Sequence, residues 1–574
     1  MKLEDNVTIG VHKRSAFDLG YDGVLSQSWG DIVPIVCKEM VPGDSFTCDA
    51  QAFVRMAPLA TPTYGRIHGY INYFFVPNRI LLEDDLWQDF IRGGVQGTTS
   101  YNLPEFSPRL LAAVFNDASD AEDGHIHLDD TDPDDADMLR RIRKQFTYLG
   151  LPDPKTYGAS QLHLSLLPFA AYNRIYGDYY FPWGLENDVA AEQLYFKKLG
   201  SNFYNPSTSW WENFTTLGRE FFTTKRACYR KDYFTTAQIN PQRGGQSYVY
   251  DNGGTAQDLP LPDNTGGEYV EDAENYRTTI TSVAVRWAMQ FQKFLERNNI
   301  AGARYFEQIL ARFGVKIQAE RLQRSEYLGG KDFWINVSDV TSTSKTEGAN
   351  LGDMAGKGIG LGNAGISYNA QDYGFFIALL HLMPESGIVQ GIPRMFMRGD
   401  RFDYFTPELE ETGMQPIYLP EVWGDIYTGI ARSGRMEDQS VYGYIPRYAE
   451  YKYSAPLLAG DFRLHFEEES GSDFLSLTDM DSMHLYRLFR APTELDEGDI
   501  PVLNSSNVVL SYPAENTFNR IFQDTNSDFD HFWVNIQVKL GAIRPMLGYV
   551  EASTDFTGDD KNAKVSLPSF GMRL

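Results

Sequence analysis

The chain has 574 residues, with 51 Lys or Arg against 77 Asp or Glu, a formal net charge of −26. So acidic a protein repels phosphate at long range, which disfavours nucleic-acid binding as the main task of the whole chain. No run approaches the roughly 20 apolar residues of a membrane span, and the opening MKLEDNVTIGVHKRS lacks the apolar core of an export signal.

Three cysteines, Cys37, Cys48 and Cys228, are too few for a disulfide framework, and buried free thiols in a reducing compartment are expected. With 34 Tyr and 37 Phe, the aromatic content suits strands and wet interfaces better than a helical bundle.

In chain order, the first clear element is Ile67 to Val76. Ile67, Gly69, Ile71, Tyr73 and Phe75 share one face and His68, Tyr70, Asn72, Phe74 and Val76 the other, the period of a strand. Residues 101–165 read as an inserted loop, with acid concentrated from Asp117 to Asp137. His125 and His127 within it form an HxH among carboxylates, but without the spacing of a metal centre. No metal or cofactor is expected.

A basic patch follows, Lys225, Arg226, Arg230 and Lys231, interleaved with Phe221, Phe222, Tyr229, Tyr233 and Phe234. Cations beside planar rings can hold phosphate and stack bases without sequence preference. Lys225, Arg226, Tyr229, Arg230, Lys231 and Tyr233 are therefore candidate DNA contacts. The competing reading makes the rings core residues and the cations salt-bridged.

Residues 244–277 read as a second inserted loop. Residues 282–314 carry apolar residues at spacings of three and four (Trp287, Phe291, Phe294; then Phe306, Ile309, Leu310, Phe313), the pattern of two amphipathic helices. Phe333 to Val340 reads as a short strand and 341–365 as a third loop. Within that loop Gly360, Gly362 and Gly365 satisfy GxGxxG, but without the strand–turn–helix that a phosphate site needs. Tyr442 to Tyr453 is rich in aromatic and basic side chains, and Tyr442, Tyr444, Arg447, Tyr448, Tyr451 and Tyr453 are candidate subunit contacts. Near the end Val534, Ile536, Val538 and Leu540 alternate with Asn535, Gln537 and Lys539, a strand with one buried face. Strands scattered over the whole length, without a linker between compositions, predict one all-β sandwich, residues 1–574, decorated by insertions.

Several short strings appear in a fixed order. They are Val41-Pro-Gly-Asp-Ser-Phe46, Phe74-Phe-Val-Pro-Asn-Arg79, Ala171-Tyr-Asn-Arg-Ile-Tyr176, Asp232-Tyr-Phe-Thr-Thr236 with Pro241-Gln-Arg-Gly244, Arg321 to Gly330 (RLQRSEYLGG), and Tyr448-Ala-Glu-Tyr-Lys452. Together they resemble the major capsid protein of the Microviridae, bacteriophages with single-stranded DNA genomes, in its gokushovirus-like branch. The resemblance implies an eight-stranded antiparallel jelly roll with long loop and helical insertions. It implies a structural role, about 60 copies closing into a T=1 icosahedral shell around a circular single-stranded DNA genome. It also implies a small basic DNA-binding virion protein, a minor or pilot protein, a host cell-surface receptor, and assembly in the bacterial cytoplasm before residence in the virion. No catalytic constellation stands out, and no enzyme is expected. The alternative reading is a carbohydrate-binding or carbohydrate-active β-sandwich, which acidic, ring-rich chains also form.

Overall fold

The computed structural model describes residues 14–60, 62–83, 86–92, 103–106, 133–154, 164–182, 194–196, 198–199, 217–238, 290, 293, 324–341, 354–389, 391–399, 401–410, 413–422, 441–462, 483–487, 512–513, 518–526 and 529–546. Thirteen strands lie among them: β1 Ser15–Asp18, β2 Tyr21–Gln27, β3 Val33–Met40, β4 Ser45–Met56, β5 Ile67–Pro77, β6 Glu105–Phe106, β7 Leu164–Ser165, β8 Glu326–Thr341, β9 Met354–Asn369, β10 Gly374–Pro384, β11 Met414–Tyr418, β12 Val441–Pro446 and β13 Phe532–Arg544.

Nine of them form one antiparallel sheet in the order β1-β13-β4-β9-β8-β5-β10-β3, with β2 also pairing with β13. The alternation read from the sequence holds in β13, where Val534, Ile536, Val538 and Leu540 are buried and the residues between them exposed. In β5 it holds only from Gly69 to Tyr73: His68 is buried, and beyond Tyr73 both faces are covered, Phe74 lying 5.1 Å from Tyr179.

The sheet curls. Phe46 of β4 and Phe376 of β10 pack at 5.8 Å, edge to face, although β9, β8 and β5 lie between their strands. Its two ends approach each other as well. The Tyr21 hydroxyl on β2 donates to the carbonyl of Ile35 on β3, and Arg544 of β13 donates to the carbonyl of Glu39 at 2.7 Å. Side chains thus close a gap that no ladder bridges, which shields edge strands from pairing elsewhere. The interior is apolar (Phe46, Val54, Ile71, Tyr73, Phe376, Leu380, Val534, Leu540), each large side chain contributing about 1.5–3 kcal/mol on burial.

The all-β, jelly-roll-like class expected from the sequence is what the chain forms. The expected two facing layers are the opposed halves of this one curled sheet. Its nine strands exceed the eight expected because β1 and β2 both add to the free edge of β13.

Two insertions differ from expectation. Residues 101–165 contain the helix Pro133–Tyr148, whose Leu139, Ile142 and Phe146 are buried. Phe146 joins Phe106, Phe169 and Phe222 in a ring cluster with centroids 5.0–6.0 Å apart. The helix escaped notice because its apolar stripe follows directly on the acid-rich stretch.

Residues 354–365 belong to strand β9, not to a loop. Glycine weakens a strand unless another group needs the space. Here a Cβ at Gly362 would come within 2.3 Å of the Phe333 ring, and one at Gly69, across β8, within 2.2 Å. The glycines make room for one phenylalanine, and the GxGxxG pattern has no phosphate to hold. The loop 244–277 and the helical insertion 282–314 lie outside the described residues, apart from Gln290 and Lys293, both helical.

Candidate assembly and genome-contact surfaces

The segment 225–233 is built into the subunit. Lys225 is buried, its ammonium donating to the carbonyl of Glu220 and lying 5.3 Å from the Tyr195 ring centre. Burial pulls its pKa down to about 7. Its backbone N–H donates to the Tyr172 hydroxyl at 2.9 Å, and its carbonyl accepts from Ile32 at 2.9 Å. Arg226 lies 3.8 Å from both Asp31 and Asp137. Tyr229 is buried beneath the Arg487 guanidinium at 4.3 Å, and burial pushes its phenol pKa up.

Tyr233 is buried too, stacked on Tyr453 at 5.4 Å with its hydroxyl 3.2 Å from Glu421. Asp232 begins the turn that places it, accepting from the backbone N–H groups of Phe234 and Thr235 at 2.9 and 2.8 Å. Only Arg230 and Lys231 of the six DNA-contact candidates are exposed. The interleaved rings are core residues, and the ring-and-cation patch read from the sequence reduces on the surface to those two cations.

The cations of this region serve an ion-pair junction. Asp31 is buried, 3.8 Å from Lys144 on the helix Pro133–Tyr148, and Lys144 also pairs with Asp530. Asp530 accepts from Ser26 at 2.7 Å and Ser28 at 2.8 Å. Burial raises the Asp530 pKa, but the Lys144 charge and these hydrogen bonds outweigh it and hold the carboxyl below its ordinary range.

The candidate contacts 442–453 form a small second lobe. The β11–β12 ribbon packs Ile417, Tyr442 and Ile445 against Tyr233, Phe234 and Ile388. Tyr442 and Tyr448 are buried, Tyr444, Arg447 and Tyr453 half-buried, and Tyr451 exposed. Tyr448 takes the left-handed conformation (φ 63°), disfavoured for a residue with a Cβ. It is held there by its N–H donating to Gln415 at 2.9 Å and by its ring packing on Phe405 at 5.1 Å.

Arg398 joins the surface of the lobe together. Its guanidinium lies 4.5 Å from the Tyr451 ring and 5.3 Å from that of Tyr404, and it pairs with Glu450 at 3.5 Å. The Tyr451 hydroxyl accepts from the N–H of Phe405 at 3.2 Å. The same part of the chain exposes Met395, Phe396, Tyr404, Phe405 and Leu457, with Phe396 72% and Leu457 80% accessible. Met395 and Phe396 sit on the 3-10 turn Arg394–Phe396 and the others on irregular segments, an exposed apolar display larger than single scattered surface residues. Sequence reasoning missed them because a single 3-10 turn and irregular segments have no apolar periodicity to read.

The chain matches the family model described as capsid protein (F protein) over residues 6–114 and 145–547. It is similar to capsid protein VP1 of Chlamydia phage 1, 24% identical with 88% of this chain and 90% of the relative aligned. Capsid protein VP1 of Bdellovibrio phage phiMH2K is 24% identical over 93% and 94%, and that of Spiroplasma virus 4 is 22% identical over 78% and 82%. The chain belongs to this family, among the gokushovirus-like major capsid proteins, and its role is structural rather than enzymatic.

Proposed function

We propose that about 60 copies of this capsid subunit close into a T=1 shell around a circular single-stranded DNA, with the 392–457 lobe at the contact between neighbours. The observation that carries the contact is the exposure of Phe396, Tyr404, Phe405, Tyr451 and Leu457 in this lobe, whose backbone is held by the ion pairs Arg394–Glu421 at 3.2 Å and Arg398–Glu450 at 3.5 Å. Rigid aromatic anchors lose little side-chain entropy when a neighbour covers them.

A net charge of −26 per subunit needs counterions or a basic partner beside the genome, which a small basic virion protein would supply. A pilot protein and a host surface receptor complete the expected partners, with assembly in the bacterial cytoplasm. Arg230 and Lys231 are the cations of the 225–233 segment that remain available to the genome.

The test is Phe396→Glu combined with Leu457→Glu, purified and viewed by negative stain with a sedimentation profile. Folded subunits without particles are expected. Uniform closed particles carrying both charges would remove the lobe from the contact.

A further inference from the structure

A column of rings crosses the outer face of β8, β5 and β10. Trp334 lies 3.9 Å from His68, His68 is 5.9 Å from Tyr70, and Tyr70 stacks on His381 at 4.9 Å and 14°. The strand register sets this order, pairing His68 with Trp334 and Tyr70 with His381. At the far end the π-helical turn Tyr176–Tyr180 brings the Tyr180 ring edge-on to His381 at 5.4 Å. Burial lowers the His381 pKa to about 3, so its ring stays uncharged near neutrality.

Cations border the column. The Arg66 guanidinium lies 5.3 Å from the Trp334 ring, and the charge of Arg230 bears on the Tyr70 phenol. Trp334 itself is 44% accessible and Tyr70 half-buried. Two carboxylates are present, Asp332 at 4.0 Å and Glu385 at 3.5 Å from His68, with Glu385 also 3.7 Å from Arg66.

We propose that this column is a stacking site for unpaired nucleobases, with Trp334 and Tyr70 offering ring faces and Arg66 and Arg230 engaging backbone phosphates. It rests on the reading that the shell encloses single-stranded DNA. Rings alternating with cations suit a base-and-phosphate ligand. The carboxylates add a preference: they accept hydrogen bonds from the exocyclic amino groups of cytosine or adenine, which thymine lacks. The exposed Arg230 from the 225–233 segment thus gains its rings from β5 and β8, not from its sequence neighbours.

The experiment titrates the purified chain with short oligodeoxycytidylate, oligodeoxythymidylate and a duplex, following tryptophan fluorescence. Quenching by the single strands is expected, with the cytidylate tighter and the duplex without effect. Trp334→Leu, checked as folded by circular dichroism, should lose the quench and about tenfold in affinity. Arg66→Gln with Arg230→Gln should flatten the salt dependence by about 1.4 log units per decade. Ultraviolet crosslinks from DNA-filled particles should fall on residues 66–70 or 326–341.

Unchanged binding and quenching in Trp334→Leu, or crosslinks confined to other peptides, would overturn the site. So would equal shielding of Trp334 from acrylamide in DNA-free particles, which would assign the face to a neighbouring subunit. Particle formation is scored separately by negative stain. A wild-type chain that binds oligonucleotide but never assembles refutes the shell and not the site, whereas normal particles with no quench refute the site alone.

Discussion

The hydroxyl of Tyr73 on β5 donates to the carbonyl of Ala364 on β9 at 2.5 Å, passing over β8 on the inside of the curled sheet. The same hydroxyl accepts from the N–H of Ala50 on β4 at 3.2 Å. One buried phenol therefore ties three strands and helps set the curl.

Tyr73→Phe keeps the ring and removes both bonds. The buried N–H of Ala50 then loses its bond to the hydroxyl, a cost of about 1–3 kcal/mol. Urea denaturation should show a lower midpoint with an unchanged slope. An unchanged midpoint would mean that the hydroxyl contributes nothing to the curl.

Lys225 makes stability depend on pH. Its folded pKa of about 7 lies below the ordinary 10.5, so the unfolded chain binds the extra proton between those values. Stability contributed by this group therefore rises as pH increases through that window and is lowest below it. Lys225→Met should raise the thermal midpoint at pH 6, with its advantage over the natural residue shrinking toward pH 10. A variant whose advantage is the same at both values would contradict the burial cost.

Asp530 works in the opposite sense. Its folded pKa lies below the unfolded value, so its contribution is present above that value and lost as pH falls through the folded one. Asp530→Asn leaves Lys144 facing a neutral group beside Asp31. The variant should unfold more readily at pH 7, and the difference should narrow on acid titration monitored by near-ultraviolet circular dichroism.

Gly362→Ala tests the room left for Phe333. The new methyl would sit within van der Waals distance of the ring, an overpacking cost of about 1–3 kcal/mol. Adding Phe333→Leu should recover part of the loss in the same melt. Failure to recover would place the strain elsewhere on β9.

Much of this was legible in the residues. β13 declared itself by period-two alternation, because one face meets the core and the other does not, whereas β5 was legible as a strand although both its faces are largely covered. The family was legible from short strings in fixed order, and several now have structural causes. Asp232 initiates the turn that seats Tyr233 and Phe234, and Tyr448 carries the left-handed turn after β12. β9 was hidden because its glycines answer to Phe333 on the neighbouring strand, which no local pattern announces.

The candidate contacts divide in the same way. Local composition identified Lys225, Tyr229 and Tyr233 as cations and rings in one stretch, but whether they face solvent depends on what covers them. Tyr172, Tyr195, Glu421 and Arg487 do so, from 30 to 258 positions away in the chain.

The sequence by itself determined that this is an all-β capsid subunit, because alternation and ordered motifs are properties of neighbouring residues. The tertiary structure alone decided which charges and rings reach the surface. Burial is set by long-range packing, which put Lys225 inside and brought Arg230, Arg66, Tyr70 and Trp334 to one face from strands β5 and β8, the residue before β5 and the 225–233 segment.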